Sequence, residues 1–207
     1  MPRDSRDLPV LAFASQSAFD QWLTAEGASS SGIWLKLAKK SSGIASISQP
    51  AAVETALCHG WIDGQLDKFD DQYWLVRFTP RQAKSKWSQK NCAKIETLIA
   101  AGRMTRAGLK QVELAKEDGR WDAAYASQSS IEVPADLIAA LQKNKKAQMC
   151  FDSLTRSKRY AIIYRLQDAK KPETRAKRLA TFVEMLARGE SIDLMKPKAK
   201  GATTGGR

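Results

Sequence analysis

Arg77 and Arg81 stand four residues apart around Phe78, Thr79 and Pro80, where an extended run gives way to a helical one. Two guanidinium forks at such a junction can address one carboxylate or phosphate. Lys84 and Lys86 follow, and a helix starting after Ser88 would add free backbone N–H groups and the positive end of its dipole. Trp87 offers a face for stacking on a base, a sugar or a guanidinium. The structural alternative is that Trp87 is a hydrophobic staple and Asn91 part of a cap. Asp63 sits with Trp61 between Gly60 and Gly64. It either makes a cross-strand ion pair with Arg77 or orients an arginine for a ligand. The ligand-binding candidates are therefore Trp61, Asp63, Arg77, Arg81, Trp87, Ser88 and Asn91. Together they predict a small pocket for an anionic or polar ligand, shared by Arg77 and Arg81.

Catalytic chemistry is harder to place. His59 is the sole histidine, and its neighbour Cys58 points about 100° away on a helix, so the two make a poor nucleophile–base pair. Gly60 and Gly64 have neither dinucleotide-fingerprint nor phosphate-loop spacing. The three cysteines, Cys58, Cys92 and Cys150, show no CxxC spacing and read as buried reduced thiols. The expectation is no catalytic residue, no metal and no cofactor, with an enzyme at the hairpin–helix junction as an alternative.

The elements that must position these residues follow from periodicity. Val10–Phe13 reads as a short strand, and Ala18, Phe19, Trp22 and Leu23 recur at helical spacing behind a serine cap. IWLKL from Ile33 reads as a strand; Ser48 or Gln49 and Pro50 open a helix that Gly60 closes. WIDGQL and QYWLVRF, separated by DKFDD, read as the arms of a hairpin, with Tyr73, Leu75 and Arg77 on one face and Trp74, Val76 and Phe78 on the other. Beyond Pro80 the period is helical nearly throughout. This is an α+β pattern: a small antiparallel sheet with helices in the N-terminal part, then a mainly helical C-terminal part. The expected division is residues 1–85 as an α+β domain with the β-hairpin, 86–190 as a helical domain and 191–207 as a disordered tail.

The 207 residues carry a formal net charge of +12. Residues 142–178 hold twelve lysines and arginines against three acids, and residues 79–91 hold four bases and no acid. Such clusters suit a polyanion partner or a solvated helix face. The partner expectations are a small anionic ligand and, alternatively, weak non-specific nucleic-acid binding; no zinc-finger, RRM or KH pattern supports sequence-specific recognition. No run of eighteen apolar residues occurs, so no transmembrane segment is expected, and the N-terminus reads poorly as a signal peptide, which points to the cytoplasm. Nothing in the sequence assigns an oligomeric state.

The runs GWIDG, RFTPR and SKWSQKN, with RMTRAGL, DGRWDAAY and the later AKKPETRAKRLATFVEMLARGE, resemble the YdeI/OmpD-associated, or bacteriocin-protection, family over about residues 20–190. The resemblance implies an α+β part followed by a helical part and carries over no catalytic residues. Its name implies protection against bacteriocins or antimicrobial stress, and association with a porin by name alone.

Overall fold

In Ile33–Ala38 and Tyr73–Pro80 one set of alternate positions (Ile33, Leu35, Leu37 and Trp74, Val76, Phe78) is apolar throughout, the period that lets a strand bury one face. In a computed structural model, which describes residues 7–192, both are strands of one four-stranded sheet. Its members are β1 (Val10–Leu11), β2 (Ile33–Ala38), β3 (Trp61–Lys68) and β4 (Tyr73–Pro80), in the order β1–β2–β4–β3. The β3–β4 hairpin and the β2–β4 pair are antiparallel, and the two-residue β1 joins β2 in parallel. The inner face presents Ile33, Leu35, Leu37, Val76 and Phe78 to Phe19 and Leu23 of α1 (Gln16–Glu26) and to Ala52 and Ala56 of α2 (Gln49–Cys58).

Caps set the helix starts. Ser15 Oγ accepts from Ala18 N–H at 3.2 Å, and Ser48 Oγ accepts from Ala51 N–H at 3.3 Å, with Pro50 in the first turn, where its missing N–H would have had no partner. Helix α2 is buried on two sides, because Leu57 and Cys58 face a second core. That core holds Ile95 and Leu98 of α3 (Gln89–Ala100), Val112 and Ala115 of α4 (Arg106–Glu117), and Trp87. A helix that is apolar nearly all round has to be enclosed in this way.

The α+β reading holds: sheet and helices come first, helices alone follow. Contacts divide the chain at Tyr125/Ala126. The expected division at residues 85/86 follows the change of period, but α3 and α4 bury their apolar stripes on α2 and so cluster with the sheet part. The second unit consists of α5 (Ala135–Gln142), α6 (Lys145–Ser153), α7 (Arg156–Gln167) and α8 (Pro172–Ala187). Its core joins Leu137, Phe151, Ile162, Leu166, Phe182 and Leu186. Of the expected tail, residues 193–207 lie outside the described residues. No helix among the described residues is long and apolar enough to cross a membrane.

Candidate functional site

Arg81 follows β4 directly, and its backbone N–H donates to Gly60 O at 2.9 Å, so the residue is pinned beside the end of α2. Its side chain is 5% exposed. The guanidinium carbon lies 3.4 Å from the ring centroid of Trp87, which is itself 1% exposed, and Nη1–H donates to Lys86 O at 3.2 Å. The remaining edge, Nε and Nη2, has no protein partner although both atoms are buried. That edge is the side-on fork with which a guanidinium grips two oxygens at once. Burial pulls the pKa of Arg81 down to about 10, which leaves it charged at neutral pH.

Arg81 belongs to the lining of a cavity of about 420 Å³, together with Leu23, Trp61 and Pro80 on the apolar side. The first turn of α4 supplies Arg106 and Ala107. This turn is held close by small residues. Thr105 Oγ1 donates to Cys58 O at 2.7 Å while accepting from Gly108 N–H at 3.2 Å, and a Cβ on Gly108 would fall 2.1 Å from Cys58 O. Gly60, at φ +74°, uses the left-handed conformation open to glycine to end α2 and turn into β3.

His59, which also lines this cavity, has a partner outside the lining that sequence spacing did not bring to it. His59 Nε2 lies 2.8 Å from Asp20 Oδ1, with the imidazole 9% exposed and the carboxylate 53% exposed. A carboxylate only accepts, so Nε2 carries the proton. Thirty-nine positions separate the partners, and no local pattern announces that α1 and the end of α2 lie side by side.

The seven expected ligand residues do not form one pocket. Trp61 and Arg81 line the cavity just described, Trp61 being a core residue at 2% exposure that meets Trp22 edge-on at 5.8 Å. Asp63, Ser88 and Asn91 line a second cavity of about 290 Å³, with Lys90, Lys94 and Tyr125. There Ser88 caps α3 by accepting from Asn91 N–H at 3.1 Å, and burial pushes the Asp63 carboxyl above its ordinary range. Trp87 lines neither cavity and serves as the platform under Arg81.

Arg77 is placed elsewhere. Register pairs Asp63 with Phe78 and Arg77 with Trp34, which puts Asp63 on the inner face with the core and Arg77 on the outer face. The expected Asp63–Arg77 ion pair is therefore not made, and the pocket shared by Arg77 and Arg81 does not form. Instead the Arg77 side chain crosses Gly64, where an added Cβ would sit 3.5 Å from its Nε. The charge that acts on Asp63 comes from Arg81 and Lys90. Arg81 thus lies between the two cavities, lining one and acting electrostatically on a carboxyl of the other.

Among the described residues no cluster of histidine, cysteine and acids could hold a metal ion. Cys58 and Cys92 are buried free thiols and Cys150 is half-buried; burial raises the pKa of the first two, which makes them poor nucleophiles.

Comparison with known proteins gives two family matches. Residues 11–111 match a Domain of unknown function (DUF8412), and residues 130–189 match the family described as Bacteriocin-protection, YdeI or OmpD-Associated. Each match lies within one of the two units. The resemblance read from the AKKPETRAKRLATFVEMLARGE run therefore holds, whereas GWIDG, RFTPR and SKWSQKN fall inside the other family's segment. No curated protein and no solved structure matches the chain.

Proposed function

We propose that this chain, whose residues 130–189 match the YdeI/OmpD-associated family, is a binding protein that takes a small anion at the Arg81 cavity of its first unit. Binding, not catalysis, is the means by which it would serve the protective role in the family's description. One observation carries the reading: a charged guanidinium 5% exposed, with the Nε/Nη2 fork lacking any protein partner. A buried charge costs several kcal/mol, and each buried donor left unpaired adds about 1–3 kcal/mol, so a side chain kept in this state is better explained by a ligand than by stability. The first turn of α4, with its exposed Arg106 and its dipole, adds positive potential at the same cavity. The location is proposed to be the cytoplasm.

Calorimetric titration of the full chain with acetate, sulfate and inorganic phosphate tests this, alongside Arg81→Met. The thioether chain keeps an apolar contact over Trp87 while removing the fork. Saturable binding by the parent, weakened about a hundredfold in the variant, is expected for loss of a charged bidentate contact of about 3 kcal/mol. Equal binding by both proteins, or none by the parent, overturns the reading.

A further inference from the structure

We infer that the groove between α7 and α8 docks an acidic segment of a partner protein, one that seats a large apolar side chain over Phe182. The groove has a volume of about 590 Å³ and lies wholly within the second unit. Along α8, Thr174, Lys177, Arg178 and Thr181 recur at the three- and four-residue spacing of one helix face, and Arg165 of α7 stands opposite.

The arginines are set in place without being neutralised. Arg178 Nη1–H donates to Arg165 O at 2.5 Å, and Arg165 Nη1–H donates to Ala161 O at 3.0 Å. Neither arginine, nor Lys177, makes an ion pair among the described residues, in contrast to Arg175 and Arg188 of the same helix and its end. Three cations therefore surround one hollow whose floor is Phe182, 9% exposed. The alkyl stems of the cations extend the apolar wall while their heads stay in water.

Charge complementarity selects the occupant. A second copy of this chain, at +12, is a poor match for a basic groove within a stretch that is itself +9 over residues 142–178. A nucleic-acid backbone presents phosphates as a regular outward ridge, whereas the cations here encircle a single concavity. An acidic peptide with an apolar anchor matches both the charge and the hollow.

Fluorescence anisotropy on the full chain tests the inference with four labelled probes: a glutamate-rich peptide with a central phenylalanine, the same peptide with alanine there, its lysine counterpart, and oligothymidine. The phenylalanine peptide should bind saturably and weaken about tenfold with Lys177→Glu/Arg178→Glu. The equal charge change made on α6, Lys145→Glu/Lys146→Glu, should leave binding within about twofold. Thermal melting checks both variants, and Lys177→Glu alone, at an exposed position, replaces the double variant if that one fails to fold. The inference fails if no peptide saturates, if the alanine peptide binds as well, if both double variants weaken binding equally, or if oligothymidine binds more tightly through Lys177 and Arg178. It does not depend on the Arg81 cavity, so the two can fail separately.

Discussion

Arg81 in the first unit and Arg175 in the second use the guanidinium in the same way up to one point. Arg175 donates from Nη1 to Leu166 O at 2.8 Å, and its Nε and Nη2 grip the two oxygens of Asp136 at 2.7 and 2.9 Å. Arg81 likewise donates from Nη1 to a backbone carbonyl, that of Lys86, but nothing of the protein meets its Nε and Nη2. Arg175 keeps 30% of its side chain in solvent, whereas Arg81 is 5% exposed, so the less buried arginine is the one with the carboxylate. The second unit has spent its fork internally to tie α5 to α8, and the first leaves one buried and unpaired on a residue that lines a cavity. The contrast is the physical basis for assigning binding to the first unit's arginine and structure to the second's.

The largest expected effect is on the structural side. Arg175→Met removes the charged partner of the Asp136 carboxylate, leaving it only the Leu137 N–H, and takes one donor from Leu166 O, which keeps the Ala169 N–H, and should destabilise the protein by about 2 kcal/mol. Differential scanning calorimetry would record this as a lower melting temperature. A loss under about 0.5 kcal/mol would mean that the ion pair is solvated and would erase the contrast.

Arg81→Met should act with the opposite sign, and less. Because the folded pKa of about 10 lies below the ordinary arginine value, the charge costs stability at every pH below 10, and that cost disappears as pH rises through 10 toward the ordinary value. Removing the charge should therefore stabilise the ligand-free protein at neutral pH by about 1 kcal/mol, the usual direction when a buried charge gives way to an apolar side chain of similar volume. A variant that melts well below the parent would make Arg81 a staple on Trp87 and close the binding reading.

Local chemistry made much of this legible. Ser48 with Pro50 and Ser88 cap the helices expected of them, and QYWLVRF puts Trp74, Val76 and Phe78 on the core side as its alternation requires. What escaped was everything fixed by register or by distant packing. Asp63 and Arg77 looked like a cross-strand pair because they lie on adjacent strands, but a one-residue difference in register moves a side chain to the other face. Asp63 pairs with Phe78, and the register shifts between Asp63 and Leu66, the stretch that holds Gly64, which Arg77 crosses. The His59–Asp20 and Arg175–Asp136 pairs each span thirty-nine positions, so they exist only once helices have packed. Arg81 was found because its neighbours in sequence, Trp87 and Lys86, are also its neighbours in space.

The smallest effect separates the two regions most finely, because it compares the same substitution in each. The Arg175 guanidinium beside Asp136 holds that carboxyl below its ordinary 3.8, so the ionised form contributes stability that is present above pH 3.8 and lost as pH falls through the folded value. Burial does the reverse to Asp63, raising it above 3.8, so its ionisation costs stability above the folded pKa and costs nothing once it is protonated. Asp136→Asn should thus be less stable than the parent at neutral pH, and Asp63→Asn slightly more stable, each by about 0.5 kcal/mol. Both differences should shrink as the pH falls through the respective folded values, from opposite sides. Chemical denaturation at neutral and acid pH measures this directly. A bound monoanion would change the size of the effect at Asp63 alone: by occupying the fork it withdraws the Arg81 charge that partly offsets the carboxylate's burial, so saturating acetate should enlarge the gain from Asp63→Asn while leaving Asp136→Asn unmoved. If acetate shifts both variants equally, or neither, then Asp63 and Arg81 do not share one electrostatic site, and the open fork is no more than an unpaired arginine.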